Sequence, residues 1–355
     1  ARFSDPRICC IHQENRGLAG ARNTGIRAAH GRYITFLDAD DAWYPGFLST
    51  CVSTLAINRD AKIAGVYTSH VFIGESGQIL PQQGSEIVPP EQLPDRLISG
   101  TPFPPCVVMI RTAVVREVGL FDEELQGQGV EDGDLWFRIT RRYTLLGVPQ
   151  ALAKYRVYSG SMSTDAARMH ISRMAVLEKH FGPDDGDPVQ WSSEKRLAYS
   201  NGYRRSALQF FEQGAVDDGW NLLLQGARIS REILSGIRTY YEMICLEQPR
   251  GYRGEPSSDE IVKAGRKILH AIEAKVFNAD MPISHLGRAA RAAIFLVMAQ
   301  LADQADDWQL ARRCMYQAVL TLPRVLSSLS NLRRIAKLVA GKRFASIVRS
   351  WSGRD

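Results

Sequence analysis

The chain has 355 residues, of which 45% are hydrophobic, and its formal net charge is +6. This composition predicts a soluble globular protein with room for two domains. No uninterrupted apolar stretch approaches the roughly 20 residues of a membrane span, which argues against an integral membrane protein. The six cysteines form no CxxC pair and no metal-binding spacing, so we expect reduced thiols and a cytoplasmic protein.

The first predicted elements are a strand from Arg7 to His12 and a helix from about Ala19 to Ala29. Gly17 and Gly20, near the start of this helix, would let a ligand approach the backbone closely. Arg22 supplies a fixed cation suited to phosphate oxygens. The alternative is an ordinary helix with small residues against a sheet and Arg22 in water.

The most informative segment is Tyr33 to Trp43, in which a short apolar strand opens into three carboxylates: Asp38, Asp40 and Asp41. In open α/β sheets, ligands bind at the carboxyl ends of the strands. Neighbouring carboxylates repel each other unless a cation lies between them, and hard oxygen ligands suit Mg²⁺ or Mn²⁺ held together with substrate phosphates. A solvated turn is the alternative interpretation.

Two further strands are predicted downstream, from Ala64 to Ile73 and from Cys106 to Ile110, with a proline-rich loop between them. A helix is then predicted around the apolar run from Leu135 to Ile139. Glu131 and Asp132 precede this run, where the helix dipole favours negative charge. Simple helix capping by an acidic residue is the alternative.

Taken together and in this order, these elements resemble the family 2 glycosyltransferases of the GT-A fold. The resemblance covers about Pro6 to Ser163. It rests on the motifs Asn15-x-Gly17, Ala21-Arg22-Asn23-x-Gly25, Phe36-Leu37-Asp38-x-Asp40-Asp41, Gly119-x-Phe121-Asp122-Glu123 and Glu131-Asp132-x-Asp134-Leu135-Trp136-x-Arg138. It implies an α/β fold of the Rossmann-like, nucleotide-diphospho-sugar transferase type.

The resemblance also implies roles for individual residues. Asp132 would be the general base that deprotonates the acceptor hydroxyl. Asp40 would bind the Mg²⁺ or Mn²⁺ that bridges the donor diphosphate, and Asp38 would face the ribose or sugar of the donor. The residues expected to contact the substrates are Arg22, Asp38, Asp40, Glu131 and Arg156, the last within a Tyr155-Arg156 pair.

The chemistry of glycosyl transfer agrees with these roles. Displacing a nucleoside diphosphate builds negative charge on the leaving oxygen, which a metal ion can stabilise by several kcal/mol. The attacking hydroxyl must lose its proton as it bonds, which is the work of a positioned carboxylate. A single displacement needs only one such carboxylate and inverts the anomeric configuration.

The beginning of the chain departs from the resembled family. Its members open with a strand, a helix and a second strand that bind the nucleotide base, whereas this chain begins at Ala1 past those elements. We therefore expect a GT-A domain that lacks its first strands and their base-binding residues.

The character of the sequence changes after about residue 164. We predict a partial GT-A domain over residues 1–164 and an α-helical domain over residues 165–355. The segment from Asp217 to Leu222 resembles the one from Asp306 to Leu310, and each leads into a helix. Degenerate hairpins of tetratricopeptide type would explain this echo, and an ordinary helical bundle explains it equally well.

The chain ends in a basic segment. From Arg324 onward it carries eight cations and one acid, interleaved with apolar residues that include Ile335 and Leu338. This pattern is typical of peripheral contact with anionic lipid at the inner face of a membrane. A solvated helix with an ordinary packed stripe is the alternative. No nucleic-acid-binding motif accompanies the charge, so nucleic acid is not an expected partner.

These observations favour a metal-dependent, inverting glycosyltransferase that moves a sugar from a nucleotide-diphospho-sugar to a hydroxyl of a glycan or lipid-linked acceptor. The main alternative is an inactive, glycosyltransferase-like fragment that acts as a helical interaction scaffold. A nucleotidyltransferase on a related sheet is disfavoured by the segment from Glu131 to Trp136.

Overall fold

The computed structural model describes residues 5–80, 84–98, 100–125, 129–158, 160–246, 256–277, 286–328, 330–332, 335 and 338. The strands of this described part all precede residue 157, and helices follow. The elements of the first part are, in chain order, α1 Gly17–Ala28, β1 Tyr33–Thr35, β2 Ala42–Trp43, α2 Phe47–Ile57, β3 Ile63–Ile73, α3 Leu93–Ile98, β4 Val108–Arg111, α4 Thr112–Val118, α5 Glu131–Thr140 and β5 Thr144–Arg156.

The strands form one mixed sheet in the order β1-β4-β3-β5-β2. Strand β4 runs antiparallel to both of its neighbours, β1 and β3, whereas β3 and β5 are parallel. Strands β1, β3 and β5 therefore point the same way, and their carboxyl ends meet at one edge of the sheet. The loop that follows β1 carries the aspartates predicted to bind the donor, so this topology puts them at the edge where α/β sheets bind ligands.

The two faces of the sheet are covered by different helices. Val66 and Met109 pack with Phe47 of α2 on one face. Their neighbours in the sequence, Tyr67 and Ile110, belong to a separate cluster with residues of α1, α4, α5 and α7 on the other face. Successive side chains of a strand point to opposite faces, so the apolar runs of β3 and β4 supply both cores.

The second part is helical. Its elements are α6 Ala166–Phe181, α7 Ser193–Glu212, α8 Val216–Ile229, α9 Glu232–Ser235, α10 Ile237–Ile244, α11 Ser258–Ile272, a π-helical turn Glu273–Phe277, α12 Gly287–Gln304 and α13 Trp308–Thr321. Helices α7 and α8 pack against each other, as do α12 and α13. The two similar segments, Asp217 to Leu222 and Asp306 to Leu310, lie at the start of the second helix of each pair. Their assignment to tetratricopeptide hairpins stays a prediction.

The hydrophobic cores do not divide at residue 164. Leu177 of α6 and Ala198, Tyr199 and Tyr203 of α7 pack into the core of the α/β part. A separate core joins the end of α7, with Ala207 and Leu208, to the helices from α8 to α13. The predicted class, an α/β domain followed by an all-α region, is confirmed, while the boundary at residue 164 stays a prediction.

One predicted element is wrong. Residues 7–12 form no strand, and Ile8 and Ile11 are 58% and 46% exposed. A strand needs a partner for its backbone hydrogen-bonding groups, and among the described strands β1 pairs only with β4. The predicted strand at Cys106 also starts later, because a 3₁₀ turn at Pro105–Val107 precedes β4.

The basic C-terminal segment lies mostly outside the described residues. Its described members Val325 and Leu338 are buried in the helical core, and Ile335 packs against that core. For these residues, the ordinary packed stripe is the better interpretation. Among the residues that the structure describes, no helix has the length and apolar character needed to cross a bilayer.

Candidate active site

The loop after β1 is held at the edge of the sheet by the end of β5. The Asp41 amide donates to the Asp38 carbonyl at 3.1 Å, which closes a tight turn. The backbone amide of Arg156 donates to Asp41 Oδ1 at 2.9 Å, and its guanidinium Nε donates to the carbonyl of Asp40 at 2.8 Å. The loop that carries the aspartates is therefore fixed by strand β5.

Arg22 joins the two halves of the site. Its Nη1 donates to Glu131 Oε1 at 2.7 Å, and its Nη2 lies 3.0 Å from both carboxylate oxygens of Asp38. The side chain is 8% exposed, and its Cζ lies 5.4 Å from the ring centroid of Phe121. A buried guanidinium that bonds to two carboxylates holds both of them rigidly. Arg22 therefore holds the loop after β1 and the start of α5 together.

Helix α5 begins with the two acidic residues of the last motif. Its N-cap residue is Val130, which makes no side-chain cap, so neither carboxylate serves as the N-cap. Glu131 is buried, and its Oε2 accepts a hydrogen bond from the Gly129 amide at 2.7 Å. Asp132 Oδ1 accepts from the Gly133 amide at 2.7 Å, and the residue lines the cleft.

The environment of Asp132 raises its pKa to about 7. The largest cause is burial, followed by the negative charge of Glu131, while Arg22 opposes the rise. A general base is most effective when its pKa lies near the working pH. This pKa suits the predicted role of Asp132 as the general base, which stays a prediction.

Asp40 is the carboxylate of the loop that remains open to a ligand. Its residue is exposed and lines the cleft, and its side chain has no hydrogen-bond or ion-pair partner among the described residues. Asp38, by contrast, is occupied by Arg22. The described residues contain no group of three or more His, Cys, Asp or Glu that could hold a metal ion. One free carboxylate fits a divalent cation whose other ligands are substrate phosphates and water.

Arg156 lies at the cleft, but its guanidinium is engaged with the backbone. Besides the Asp40 carbonyl, it donates to the carbonyls of Gly74 at 2.8 Å and Glu75 at 2.9 Å. These bonds tie the ends of β3 and β5 to the loop after β1. Its predicted contact with the donor diphosphate stays a prediction, and positioning of the loop is the role that these contacts support.

Asp134, two residues after the candidate base, has a structural environment. It is fully buried and bonds to Arg138 at 2.8 Å, to His180 at 2.8 Å and to Lys179 at 2.9 Å. Hydrogen bonding to His180 and the charge of Arg138 hold the pKa of this carboxyl well below its usual range, despite its burial. The pKa values of Asp132 and Asp134, two aspartates of one motif, are therefore shifted in opposite directions.

The motif around residue 121 holds helix α1 in place. The Asn23 side chain donates to the carbonyl of Phe121 at 2.8 Å and accepts from the amide of Phe121 at 2.9 Å. Phe36 and Trp136 pack against the same ring. These residues fix the helix that carries Arg22, so their part in the site is indirect.

His70 is a cleft residue that the sequence did not single out. Its Nδ1 lies 2.9 Å from Ser85 Oγ and 3.2 Å from the Ser85 amide. Because a backbone amide can only donate, Nδ1 is the acceptor in the second contact, which assigns the ring proton to Nε2. This Nε2 is buried and has no partner among the described residues, and the side chain lines the cleft. Burial lowers its pKa to about 4, so the ring is neutral at physiological pH. A histidine inside the apolar strand β3 was the only signal in the sequence.

The predicted site residues all line one cleft of about 790 Å³. They are Arg22, Asp38, Asp40, Glu131, Asp132 and Arg156. The cleft continues past the carboxylates to helices α3, α6, α7 and α10. Both parts of the chain therefore contribute to its walls.

Comparisons with known proteins find similarity to glycosyltransferases. Residues 1–118 match the family model described as glycosyl transferase family 2. An uncharacterized glycosyltransferase from Rickettsia conorii is 30% identical over 163 residues, which are 44% of this chain and 25% of that protein. An Escherichia coli β-1,3-glucosyltransferase, named for UDP-Glc and α-D-GlcNAc-diphosphoundecaprenol, is 27% identical over 50% of this chain and 66% of its own length.

A mannosyltransferase from Pyrobaculum calidifontis, solved with GDP-Man and Mn²⁺, aligns over 82% of this chain and 68% of its own, with 17% identity and a TM-score of 0.38. The matches to five Rickettsia relatives span 21% to 50% of the length of those proteins.

Proposed function

We propose that the protein transfers a sugar from a nucleotide-diphospho-sugar to a hydroxyl of a glycan or lipid-linked acceptor, because residues 1–118 match the model of glycosyl transferase family 2. The names of two E. coli relatives, which act on a diphosphoundecaprenol-linked sugar, support this acceptor class. Such an acceptor would bring the protein to the inner face of a membrane, where the basic C-terminal segment would meet anionic lipid.

The observation that carries this proposal is the double ion pair of Arg22. The guanidinium of Arg22 binds Asp38 in the loop after β1 and Glu131, which precedes the candidate base Asp132. The two motifs lie far apart in the sequence, and a buried cation that connects them sets the distance between the donor and the base. Positioning of this kind is a large part of catalysis in bimolecular transfer.

At the donor end of the cleft, Asp40 is the residue that would hold Mg²⁺ or Mn²⁺. The ion would supply charge stabilisation to the departing diphosphate. Asp38, already paired with Arg22, would orient the ribose or the sugar through its outer lone pairs. Arg156 keeps the loop in place through the Asp40 carbonyl.

At the acceptor end, Asp132 would take the proton of the attacking hydroxyl at a free carboxylate oxygen. Its raised pKa suits it to accept that proton near neutral pH. Glu131 is a poor candidate for a nucleophile, because its side chain is 3% exposed and its two carboxylate oxygens accept hydrogen bonds from Arg22 and from the Gly129 amide. A single displacement with inversion is therefore the mechanism that these contacts favour.

The decisive experiment is a transfer assay across a panel of nucleotide-sugars, with lipid-linked and free glycan acceptors and with Mn²⁺ or Mg²⁺. The anomeric configuration of the product, read by NMR, should be opposite to that of the donor. Asp132→Asn should remove transfer, whereas Asp218→Asn, which changes an exposed aspartate of α8, should not. A retained configuration, or full transfer by Asp132→Asn, would contradict the mechanism.

A further inference from the structure

The helical end of the cleft, formed by α3, α6, α7 and α10, is lined by five arginines and two glutamates. The arginines are Arg96 of α3, Arg173 of α6, Arg204 and Arg205 of α7, and Arg238 of α10. We call them the arginine cluster. The transfer mechanism proposed above uses none of them, and four of the five belong to the helical part of the chain.

Two members of the arginine cluster make hydrogen bonds to neutral groups. Arg173, itself 8% exposed, donates from Nη1 to Ser206 Oγ at 2.5 Å and from Nη2 to Gln209 Oε1 at 2.8 Å. Arg96 Nη1 donates to the carbonyl of Gly100 at 3.2 Å. These bonds orient the two guanidinium groups.

Two other members share one carboxylate. Glu242 forms ion pairs with Arg204 and with Arg238, the latter at 3.1 Å. Burial, followed by the positive charges of Arg96 and Arg204, lowers the pKa of Arg205 to about 10. Arg205 is still charged at neutral pH, so an anion that entered this end of the cleft would offset an existing repulsion.

A short series of contacts connects the arginine cluster to the candidate base. A Cβ built at Gly133, the residue after Asp132, would lie 2.6 Å from Thr101 Oγ1. Next to Thr101, Gly100 has φ +120°, and a Cβ built there would lie 1.0 Å from Arg205 Nη1. The backbone beside the base therefore packs on a loop that packs on the arginine cluster. This end of the cleft is next to the place where the acceptor hydroxyl must lie.

We infer that the arginine cluster binds a phosphate or diphosphate group carried by the acceptor, an inference that rests on the proposed transfer to a hydroxyl at Asp132. Guanidinium forks match the oxygens of phosphate groups and bind them in two-pronged hydrogen bonds. An acceptor anchored through its phosphate would present its sugar hydroxyl to Asp132 in a fixed position. The acceptor class is therefore a sugar linked to its carrier through phosphate.

A metal-free calorimetric titration with inorganic pyrophosphate tests the anion site by itself. Arg173→Gln and Arg238→Gln should each weaken binding by roughly 10-fold or more, the cost of a lost hydrogen bond to a charged group. Arg168→Gln of α6 and the exposed Arg231→Gln remove the same charge outside the cleft, and should change the affinity by less than about 2-fold. Arg238 is half-exposed, so its replacement spares the fold, and thermal melts check each variant.

Two results would overturn the inference. The first is equal pyrophosphate affinity in parent, Arg173→Gln and Arg238→Gln. The second is loss of metal-free pyrophosphate binding in Asp40→Ala, which would put the anion at the donor end of the cleft. These titrations need no transfer, so their outcome is separate from that of the proposed function.

The acceptor assignment is tested by comparing sugars linked to phosphate or diphosphate with the matching uncharged alkyl glycosides. In the parent, kcat/KM should favour the charged acceptor, and Arg173→Gln and Arg238→Gln should lower this preference by about 10-fold or more. The two control variants should keep it. An equal fall in kcat/KM for charged and neutral acceptors would show that the arginine cluster does not recognise the acceptor anion.

Discussion

Arg22 and Glu131 lie 109 positions apart in the sequence, and their side chains form a 2.7 Å ion pair in which they are 8% and 3% exposed. The same guanidinium holds Asp38. Since the pair is buried, removing either charge would leave the other without its partner in a low-dielectric environment. Fold stability and site geometry therefore depend on one contact.

Replacing Arg22 tests this dependence. Arg22→Gln should lower the free energy of unfolding by about 3–5 kcal/mol, because Glu131 would be left buried and unpaired. Arg16→Gln breaks the exposed Arg16–Glu123 pair, in which Arg16 is 52% exposed, and should cost at most about 1 kcal/mol. Urea denaturation of the two variants measures both values. Equal costs would mean that the buried pair has no special structural role.

The raised pKa of Asp132 predicts the pH dependence of transfer. The carboxylate must be ionised to accept a proton, so kcat/KM should fall as the pH drops below about 7 and level off above it. Asp132→Asn should lower transfer by about 10²–10⁴-fold and abolish this dependence. A stopped assay from pH 5 to 9 gives both results, and a parental rate in the Asn variant would exclude Asp132 as the base.

Asp132 and Asp134, both in the first turn of α5, should affect the free energy of unfolding in opposite directions when they ionise. The folded-state pKa of Asp132 is raised, so its ionisation destabilises the fold, fully above pH 7 and not at all below about pH 4. Asp132→Asn should therefore stabilise the protein at pH 8 by at most about 4 kcal/mol, with no gain near pH 4.

For Asp134 the sign is reversed. Its folded-state pKa is depressed, so its contribution is present above about pH 4 and is lost as the pH falls further. Asp134→Asn should destabilise the protein at pH 7 by on the order of 3 kcal/mol, because Arg138 and Lys179 lose a buried partner. Thermal unfolding of both variants across this pH range measures the contrast, and changes of the same sign would contradict it.

His70 should contribute to substrate affinity. Its Nε2–H is a buried donor without a partner among the described residues, so an oxygen of a bound substrate would satisfy it. His70→Phe keeps a ring but removes the donor, and should raise the KM for donor or acceptor by about 2- to 10-fold. His30→Phe, at an exposed position, is the control. Unchanged KM values for both substrates would show that His70 only packs.

The family and the fold class could be predicted from the sequence because their signals are local. The motifs around Arg22, Asp38 and Asp132 are short. Residues 1–118 match the family 2 glycosyl transferase model, and the predicted class, an α/β part followed by an all-α region, is confirmed. Strand 7–12 was predicted wrongly because an apolar run does not show whether a neighbouring strand exists. The backbone bonds of Arg156 and the arginine cluster depend on contacts between distant segments, which no local pattern encodes.

Asp40 gives the sharpest test of the metal site. Because its carboxylate has no protein partner in the described part of the chain, Asp40→Ala should change the free energy of unfolding by less than about 0.5 kcal/mol. It should nevertheless abolish the gain in nucleotide-sugar affinity that Mn²⁺ or Mg²⁺ provides. Asp38→Ala makes the matched comparison, since it leaves Arg22 with one carboxylate fewer and should reduce stability as well as binding. Calorimetry of donor binding with and without the metal, together with urea denaturation, separates the two aspartates. Metal-dependent affinity that survives in Asp40→Ala would move the metal to another ligand.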